Sequence, residues 1–356
     1  MFRKIIAGVF LAMSVAVAFS GIGAAAAAVS QIIPAKVMTF KDWAVGCDNG
    51  LSCEAVTLNP KSSAENTLSL AMNRTPVRNG GLSINVSGFA TGTDRYRILI
   101  DKRVIDTGAV GPDKETIIVT GADAVKLARA MAKGWAFSLI DGNGQNLGRA
   151  SLAGVSATLR YMDTTQGRLG SRGAIVANAR RPARVKKSFV PMIAARRIAP
   201  SEQLPEAPAL VALSESSPCA KERFGATEDA AYSLGPTQSL VLLNCGSGAY
   251  NFSVGAYIGN RDLAGKWTFA PATFDYTPNR LNEKSDLALL VNADWNGATQ
   301  TLSSYAKGRG IGDCGSSEQY VWDGSMFRLI QATQMDECRG SLDWITVWRA
   351  EVSLTS

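Results

Sequence analysis

Ser304 and Lys307 have the spacing of a serine nucleophile with a lysine base. The companion motifs of that chemistry are absent from the chain. Gly310-x-Gly312-x-x-Gly315 spells a dinucleotide fingerprint. That motif needs a strand before it and a helix after it, so that a phosphate can sit on the helix N-terminus. Here Cys314 lies inside the motif and β-type sequence follows, so a loop is expected. Asp141-x-Asn143-x-Gln145 could begin a calcium loop, but the distal glutamate that completes one is missing, and a hairpin turn fits better. Asp294 beside Trp295, the pair Asp336-Glu337, and Asp343 beside Trp344 could serve glycoside chemistry, in which two carboxylates work without imidazole and tryptophan stacks on the sugar. No spacing singles out a pair, and these tryptophans read as core residues. The chain contains no histidine. That removes the usual general base near neutral pH, the commonest metal ligand and every imidazole-dependent triad. No catalytic residue, metal site or cofactor is assigned.

The strongest functional pattern is one of charge. Between Thr164 and Ser201 there is no acidic residue, while nine arginines and lysines occur, among them Arg168, Arg172, Arg196 and Arg197. The densest part is Arg180-Arg181-x-x-Arg184-x-Lys186-Lys187. The formal net charge is +7; taking away these nine leaves −2, and removing Arg3 and Lys4 with a leader leaves −4. The mature chain is therefore mildly acidic except for one basic stretch. Arg180, Arg181, Arg184, Lys186 and Lys187 would be attracted to an anionic surface, at about 1 kcal/mol per cation close to it. Lipid head groups, lipopolysaccharide phosphates and an acidic partner protein are the candidate partners, and peripheral membrane contact fits the same pattern. Nucleic acid does not, because the chain carries an export signal. A solvated basic linker is the plain alternative.

That signal is at the N-terminus. Arg3 and Lys4 precede an apolar run from Ile5 to Phe19, and small residues end in Ala24–Ala28. These are the three regions of a secretory signal peptide, expected over residues 1–28. The apolar core is short for a membrane span, which needs about 20 residues. Six cysteines, Cys47, Cys53, Cys219, Cys245, Cys314 and Cys338, agree with export to an oxidising compartment, here the periplasm. Six allow fifteen connectivities. Neighbour pairing (Cys47–Cys53, Cys219–Cys245, Cys314–Cys338) is the expectation. No Cys-x-x-Cys spacing occurs, which speaks against zinc.

The elements that must position these residues are mostly strands. Phe40–Cys47, Leu68–Met72, Leu82–Val86, Tyr96–Ile100, Ile117–Val119 and Trp135–Ile140 read as strands, the third with Leu82, Ile84 and Val86 on one face. Ala122–Lys133 predicts a helix with Val125, Ala128, Met131 and Ala132 on its buried face. A second helix is expected from Val155 to Met162, ending before Gly167. The segment 168–208, punctuated by Pro191, Pro200, Pro205 and Pro208, reads as an interdomain linker with a last strand at Gly173–Ala177. Beyond it, Ser239–Leu243, Tyr250–Ile258, Trp267–Phe269, Leu287–Val291, Thr299–Tyr305 and Trp344–Trp348 continue the strands. Asp323-Gly324, between two apolar runs, supplies the positive φ angles of a hairpin turn. The expected architecture is mainly β: a β-rich domain with one or two helices over 38–167, the basic linker, and a mainly β disulfide-containing domain over 209–356.

Several of these residues recur in a known pattern. Asp42-Trp43, the Cys47…Cys53 loop, Leu152-x-Gly154-x-Ser156-Ala157-x-Leu159-x-Tyr161-Met162-Asp163, Gly312-Asp313-Cys314-Gly315, Trp322-Asp323-Gly324-x-x-Phe327 and Glu337-Cys338-Arg339-Gly340 together resemble the proteobacterial envelope proteins grouped as domain of unknown function 1176. The first part alone also resembles the invasion-associated locus B family, through Phe40-x-Asp42-Trp43, the close cysteine pair and Leu152-x-Gly154. The resemblance implies a periplasmic, disulfide-containing protein and brings no activity with it; the basic stretch points most simply to a non-enzymatic binder of an anionic envelope component or partner protein. A carboxylate enzyme acting on envelope polysaccharide and a structural or assembly factor are the alternatives.

Overall fold

Alternation of apolar and polar residues builds most of the molecule. The computed structural model describes residues 32–355 apart from 62–66, 78–80, 90–93, 112, 114, 200, 223–227 and 279–285. The signal peptide expected over 1–28 lies outside the described residues. The first part of the chain runs β1 (Met38–Phe40), β2 (Trp43–Cys47), β3 (Cys53–Thr57), β4 (Ser69–Arg74), β5 (Leu82–Ser87), β6 (Arg95–Ile100), β7 (Arg103–Ala109), β8 (Ile117–Thr120), α1 (Gly121–Met131), β9 (Ala136–Asp141), β10 (Asn146–Ser151) and α2 (Val155–Thr165). It forms one sheet of order β1-β2-β3-β4-β5-β8 and another of order β10-β9-β6-β7. Their inner faces and the two helices share a core that includes Trp43, Leu70, Ile84, Ile98, Phe137 and Leu159.

The chain continues through β11 (Met192–Arg196), α3 (Ala207–Ser216), β12 (Ala230–Ser233), β13 (Gln238–Ser247), β14 (Phe252–Arg261), β15 (Trp267–Pro271), β16 (Leu289–Val291), β17 (Asp294–Asn296), β18 (Thr301–Lys307), β19 (Gly315–Trp322), β20 (Phe327–Met335), β21 (Ile345–Arg349) and β22 (Glu351–Thr355). Two further antiparallel sheets result, β12-β13-β14-β15 with β16 beside β14, and β17-β18-β19-β20-β21. They enclose an aromatic core around Tyr320, Trp322, Phe327 and Trp295. The protein is thus mainly β with several sheets. The hairpin at Asp323-Gly324 is present, but as a four-residue loop between Trp322 and Phe327 in which Gly324 alone takes a positive φ, 101°; one Asp323 carboxylate oxygen accepts from the N–H groups of Ser325 and Met326 at 2.8 Å each.

One expectation needs correction, and two details go beyond what the pattern predicts. Gly173–Ala177 forms turns, not a strand; its backbone is held by side chains instead of by a ladder, and the strand of that region is β11. The buried face of α1 is Ala124, Leu127, Ala128 and Met131. Val125 and Ala132, also expected there, are half-buried and pack against the same core at its edge. Finally, β11 pairs in parallel with β22, some 160 positions later, an arrangement with no local signal.

The segment 168–199 is held along its course. Arg172 N–H donates to Arg181 O at 2.8 Å, Lys186 N–H to Gln166 O at 3.1 Å, and Asn49 Nδ2 to Phe189 O at 3.2 Å. Gly167, at φ 72°, lets this segment lie on the end of α2: a Cβ there would stand 2.5 Å from Arg184 O. On the far side, β21 docks on β2 and β3. Glu54 accepts from Thr346 N–H at 2.8 Å, Asn49 from Arg349 N–H at 2.8 Å, and Ala44, Val56 and Leu58 pack against Cys314, Met335 and Ile345.

The bridges are Cys47–Cys53, Cys219–Cys245 and Cys314–Cys338. Cys47 and Cys53 face each other across the β2–β3 ladder, closing a short loop. Because a short loop removes little denatured-state entropy, the Cys47→Ser/Cys53→Ser double variant should lose about 2 kcal/mol in a urea titration. A loss well above that would mean the bridge also sets the native geometry of the loop.

Candidate functional site

β4 alternates, and its inward residues are Leu70, Met72 and, at the strand's end, Arg74. The strand thereby turns a guanidinium inward. Asp163, near the end of α2 and fully buried, answers it: Arg74 Nη1 donates to Asp163 Oδ1 at 2.5 Å. The same carboxylate accepts from Ile175 N–H at 2.9 Å and Val176 N–H at 3.0 Å. It therefore folds the turn after α2 back onto the helix. Gln166, also fully buried, donates to Leu51 O at 2.9 Å and Arg74 O at 3.0 Å, and accepts from Arg168 Nε at 2.9 Å. Arg168 also donates to Val77 O. Burial, and then the neighbouring Arg74 charge, hold the Arg168 guanidinium below its ordinary value, with Asp163 opposing them.

This framework surrounds a cavity of about 420 Å³. Arg74 comes from β4, Val125 and Arg129 from α1, and Arg168 and Arg172 from the turns after α2; Leu82, Ile175, Pro182 and Ala183 complete the wall. Arg129 donates to Ala174 O at 3.2 Å, and Arg172 Nε to Arg180 O at 2.7 Å. Pro182 and Ala183 belong to the basic stretch. Arg180, Arg181, Arg184, Lys186 and Lys187 are all exposed and lie on this same segment, whose backbone is tied to the turns that carry Arg168 and Arg172. Sequence reasoning missed Arg74, the one cation of β4, and Arg129, which shares α1 with Lys126 and Asp123 and reads as an ordinary helix charge. An arginine continuing the inward Leu70, Met72 alternation was the available signal.

The other chemical patterns do not assemble. Strand alternation puts Ser304 and Lys307 on opposite faces of β18. Ser304 is buried and accepts from Val291 N–H at 3.2 Å, while Lys307 lies over the Tyr305 ring at 6.0 Å. The Gly310–Gly315 run joins two strands and is closed by Gly308 N–H to Cys314 O at 2.7 Å. Asp141 accepts from Asn143 N–H and Gln145 N–H, as in a hairpin turn. Trp295 is buried, and Trp344 stacks on Tyr305 with ring centres 4.7 Å apart.

The conspicuous motifs converge elsewhere, on a clasp. Arg339 Nη2 donates to Asp42 at 2.7 Å, Nη1 to Lys41 O at 2.6 Å and Nε to Asn59 O at 2.7 Å. Asp42 also accepts from Ser151 Oγ at 2.7 Å, and Trp43 Nε1 donates to Ser151 O at 3.1 Å. Gly340 N–H donates to the buried Asp313 carboxylate at 2.6 Å. The hydrogen bond from Arg309 holds that carboxyl below its ordinary value. Gly154 begins α2 at φ 100°, where a Cβ would stand 1.8 Å from Phe40 O.

The family described as "Protein of unknown function (DUF1176)" matches this chain over residues 37–351, a span that includes the clasp, all three bridges and every wall of the cavity. The chain belongs to that family. A curated relative, "Uncharacterized protein YpfG" of Escherichia coli (strain K12), is 27% identical over 339 residues, covering 87% of this chain and 91% of that protein. The crystal structure of invasion associated protein b from Bartonella henselae gives a TM-score of 0.27 at 17% identity, covering 37% of this chain and 98% of that one. As a member of the DUF1176 family with three disulfides, the protein has the covalent framework of an oxidising, exported environment.

Proposed function

We propose that this is a non-enzymatic protein of the periplasm that binds an anionic envelope component or an acidic partner through its basic face. One observation carries the reading: Arg180, Arg181, Arg184, Lys186 and Lys187 are exposed on a segment whose backbone is hydrogen-bonded to the body of the protein. A fixed array loses less entropy on binding than a flexible basic linker would, and so retains more of the attraction. The leader-like N-terminus and the disulfides support the compartment.

Co-sedimentation of the mature protein with outer membrane, inner membrane and peptidoglycan across a salt series tests it. Binding should weaken as salt rises, because exposed charges are screened beyond about 8 Å at physiological ionic strength. Alanine at all five positions should weaken binding about tenfold to a hundredfold at low salt. Equal, salt-independent behaviour of both proteins rejects the reading.

A further inference from the structure

We propose that the arginine-walled cavity is a binding site for a phosphomonoester carried on a small organic body, such as a sugar phosphate. The proposal takes the sign of the ligand's charge from the anion-binding reading above, but it stands on different residues.

The cavity brings guanidinium groups together from three separated parts of the chain: Arg74 on β4, Arg129 on α1, and Arg168 and Arg172 after α2. The carboxylate that pairs with this group is Asp163, which is already bound to Arg74 and to two backbone N–H groups. Four positive charges therefore face one negative charge; Arg74, Arg129 and Arg172 also donate to the Gly173, Ala174 and Arg180 carbonyls, which are neutral and leave the surplus charge uncompensated. Arg168 is fully engaged with Gln166 and Val77, so it adds charge and wall but is not counted as a donor to a ligand. Arg74 Nε and Arg129 Nε are different: both are buried and have no hydrogen-bond partner among the described residues. A buried donor left unmade is costly, and an anionic oxygen would relieve it.

A dianion with three terminal oxygens suits this arrangement better than a carboxylate. It offsets more of the surplus charge and can accept from forks that approach from different elements. The volume, about 420 Å³, exceeds what a bare phosphate needs and falls among small-molecule sites, which span about 300–1,000 Å³. Leu82, Val125 and Ile175 give the wall an apolar side against which the organic body would rest.

Calorimetric titration of the full mature chain with glucose 6-phosphate, inorganic phosphate and glucose tests the proposal. Glucose 6-phosphate should bind saturably and more tightly than inorganic phosphate, and glucose should give no heat. Arg129→Gln, which removes a charge from a half-buried position, should weaken binding about tenfold or more. Arg172→Gln, at an exposed position, should weaken it in the same direction and carries the test if Arg129→Gln does not fold. The five-alanine variant of the exposed stretch should bind glucose 6-phosphate as the parent does. Vesicles of phosphatidylcholine with and without phosphatidic acid distinguish the source of the phosphate: binding that needs phosphatidic acid and is lost in Arg129→Gln assigns a lipid head group, and glucose 6-phosphate binding alone assigns a soluble ligand. The proposal is overturned if no phosphate ester binds saturably, or if binding survives both glutamine variants. It is also overturned if only the five-alanine variant loses binding, in which case the basic face still stands. Salt-independent envelope binding that is equal in the parent and the five-alanine variant, together with saturable glucose 6-phosphate binding, would reject the basic face and leave the cavity.

Discussion

Asp163→Ala should lower the free energy of unfolding by about 3–5 kcal/mol, the cost of leaving a buried partner charge uncompensated. Asp163 is fully buried, Arg74 is 4% exposed and Arg168 is 1% exposed. Without the carboxylate, two guanidinium groups stand near each other with no buried counter-charge, and the N–H groups of Ile175 and Val176 lose their acceptor. Each orphaned donor adds a desolvation cost of about 1–3 kcal/mol if the turn keeps its place. The turn will relax, which limits the total and disturbs the cavity. Urea unfolding followed by tryptophan fluorescence measures the change. Replacing both members of the pair, Arg74→Met with Asp163→Leu, should cost less than Asp163→Ala alone, because only Arg168, and no longer two neighbouring guanidinium groups, is left without a buried counter-charge. A single-variant loss below about 1 kcal/mol would show that water reaches the pair freely and that it does not anchor the turn.

Glu318→Gln should stabilise the protein at alkaline pH by about 3 kcal/mol as an order of magnitude. Glu318 takes an inward position on β19, in the same row as Tyr320 and Trp322, and is 2% exposed. Burial raises its carboxyl from 4.5 to about 7; hydrogen bonds from Ser316 and Ser304 pull it back only in part. The folded state therefore keeps a proton that the unfolded chain releases. Between pH 4.5 and about 7 the unfolded state binds fewer protons, so stability falls as pH rises through that window and levels off above it. Glutamine resembles the neutral acid and has no proton to lose. Denaturant titrations at pH 5 and pH 8 should show similar stability for the two proteins at the lower value and a more stable variant at the higher one. Parallel profiles would mean that Glu318 titrates alike in both states.

Much of the fold was legible because burial imposes a period. Leu82, Ile84 and Val86 identify β5, the apolar runs around Asp323-Gly324 identify the β19–β20 hairpin, and Gly154 and Gly167 bound α2. The elements that escaped are those whose pattern burial does not write. β7 is mostly exposed and shows no clean alternation. Every residue of β22 is exposed, and its partner strand, β11, is distant in sequence. α3 lies in proline-rich sequence and buries only Leu213. The site was half visible for the same reason. Charge density marks Arg168 to Lys187, but only the topology carries Arg74 and Arg129 to the same cavity. Composition also does not separate a docked basic segment from a free one. The docking of this segment runs largely through backbone groups, such as Lys186 N–H to Gln166 O, which any sequence offers.

The docking of β21 against β2 and β3 has a consequence for the order in which the molecule is completed. A chain that crosses a membrane N-terminus first presents Ala44, Val56 and Leu58 long before Met335 and Ile345 arrive to cover them. Asp42 and Asn59 likewise wait for Arg339, nearly 300 positions later. Contacts of such separation are the slow ones in folding, since loop closure must precede any gain from them. The first sheet therefore spends its early life with an apolar face and the Asp42 carboxylate open to solvent, and β21, the last strand but one to emerge, is the one that seals it.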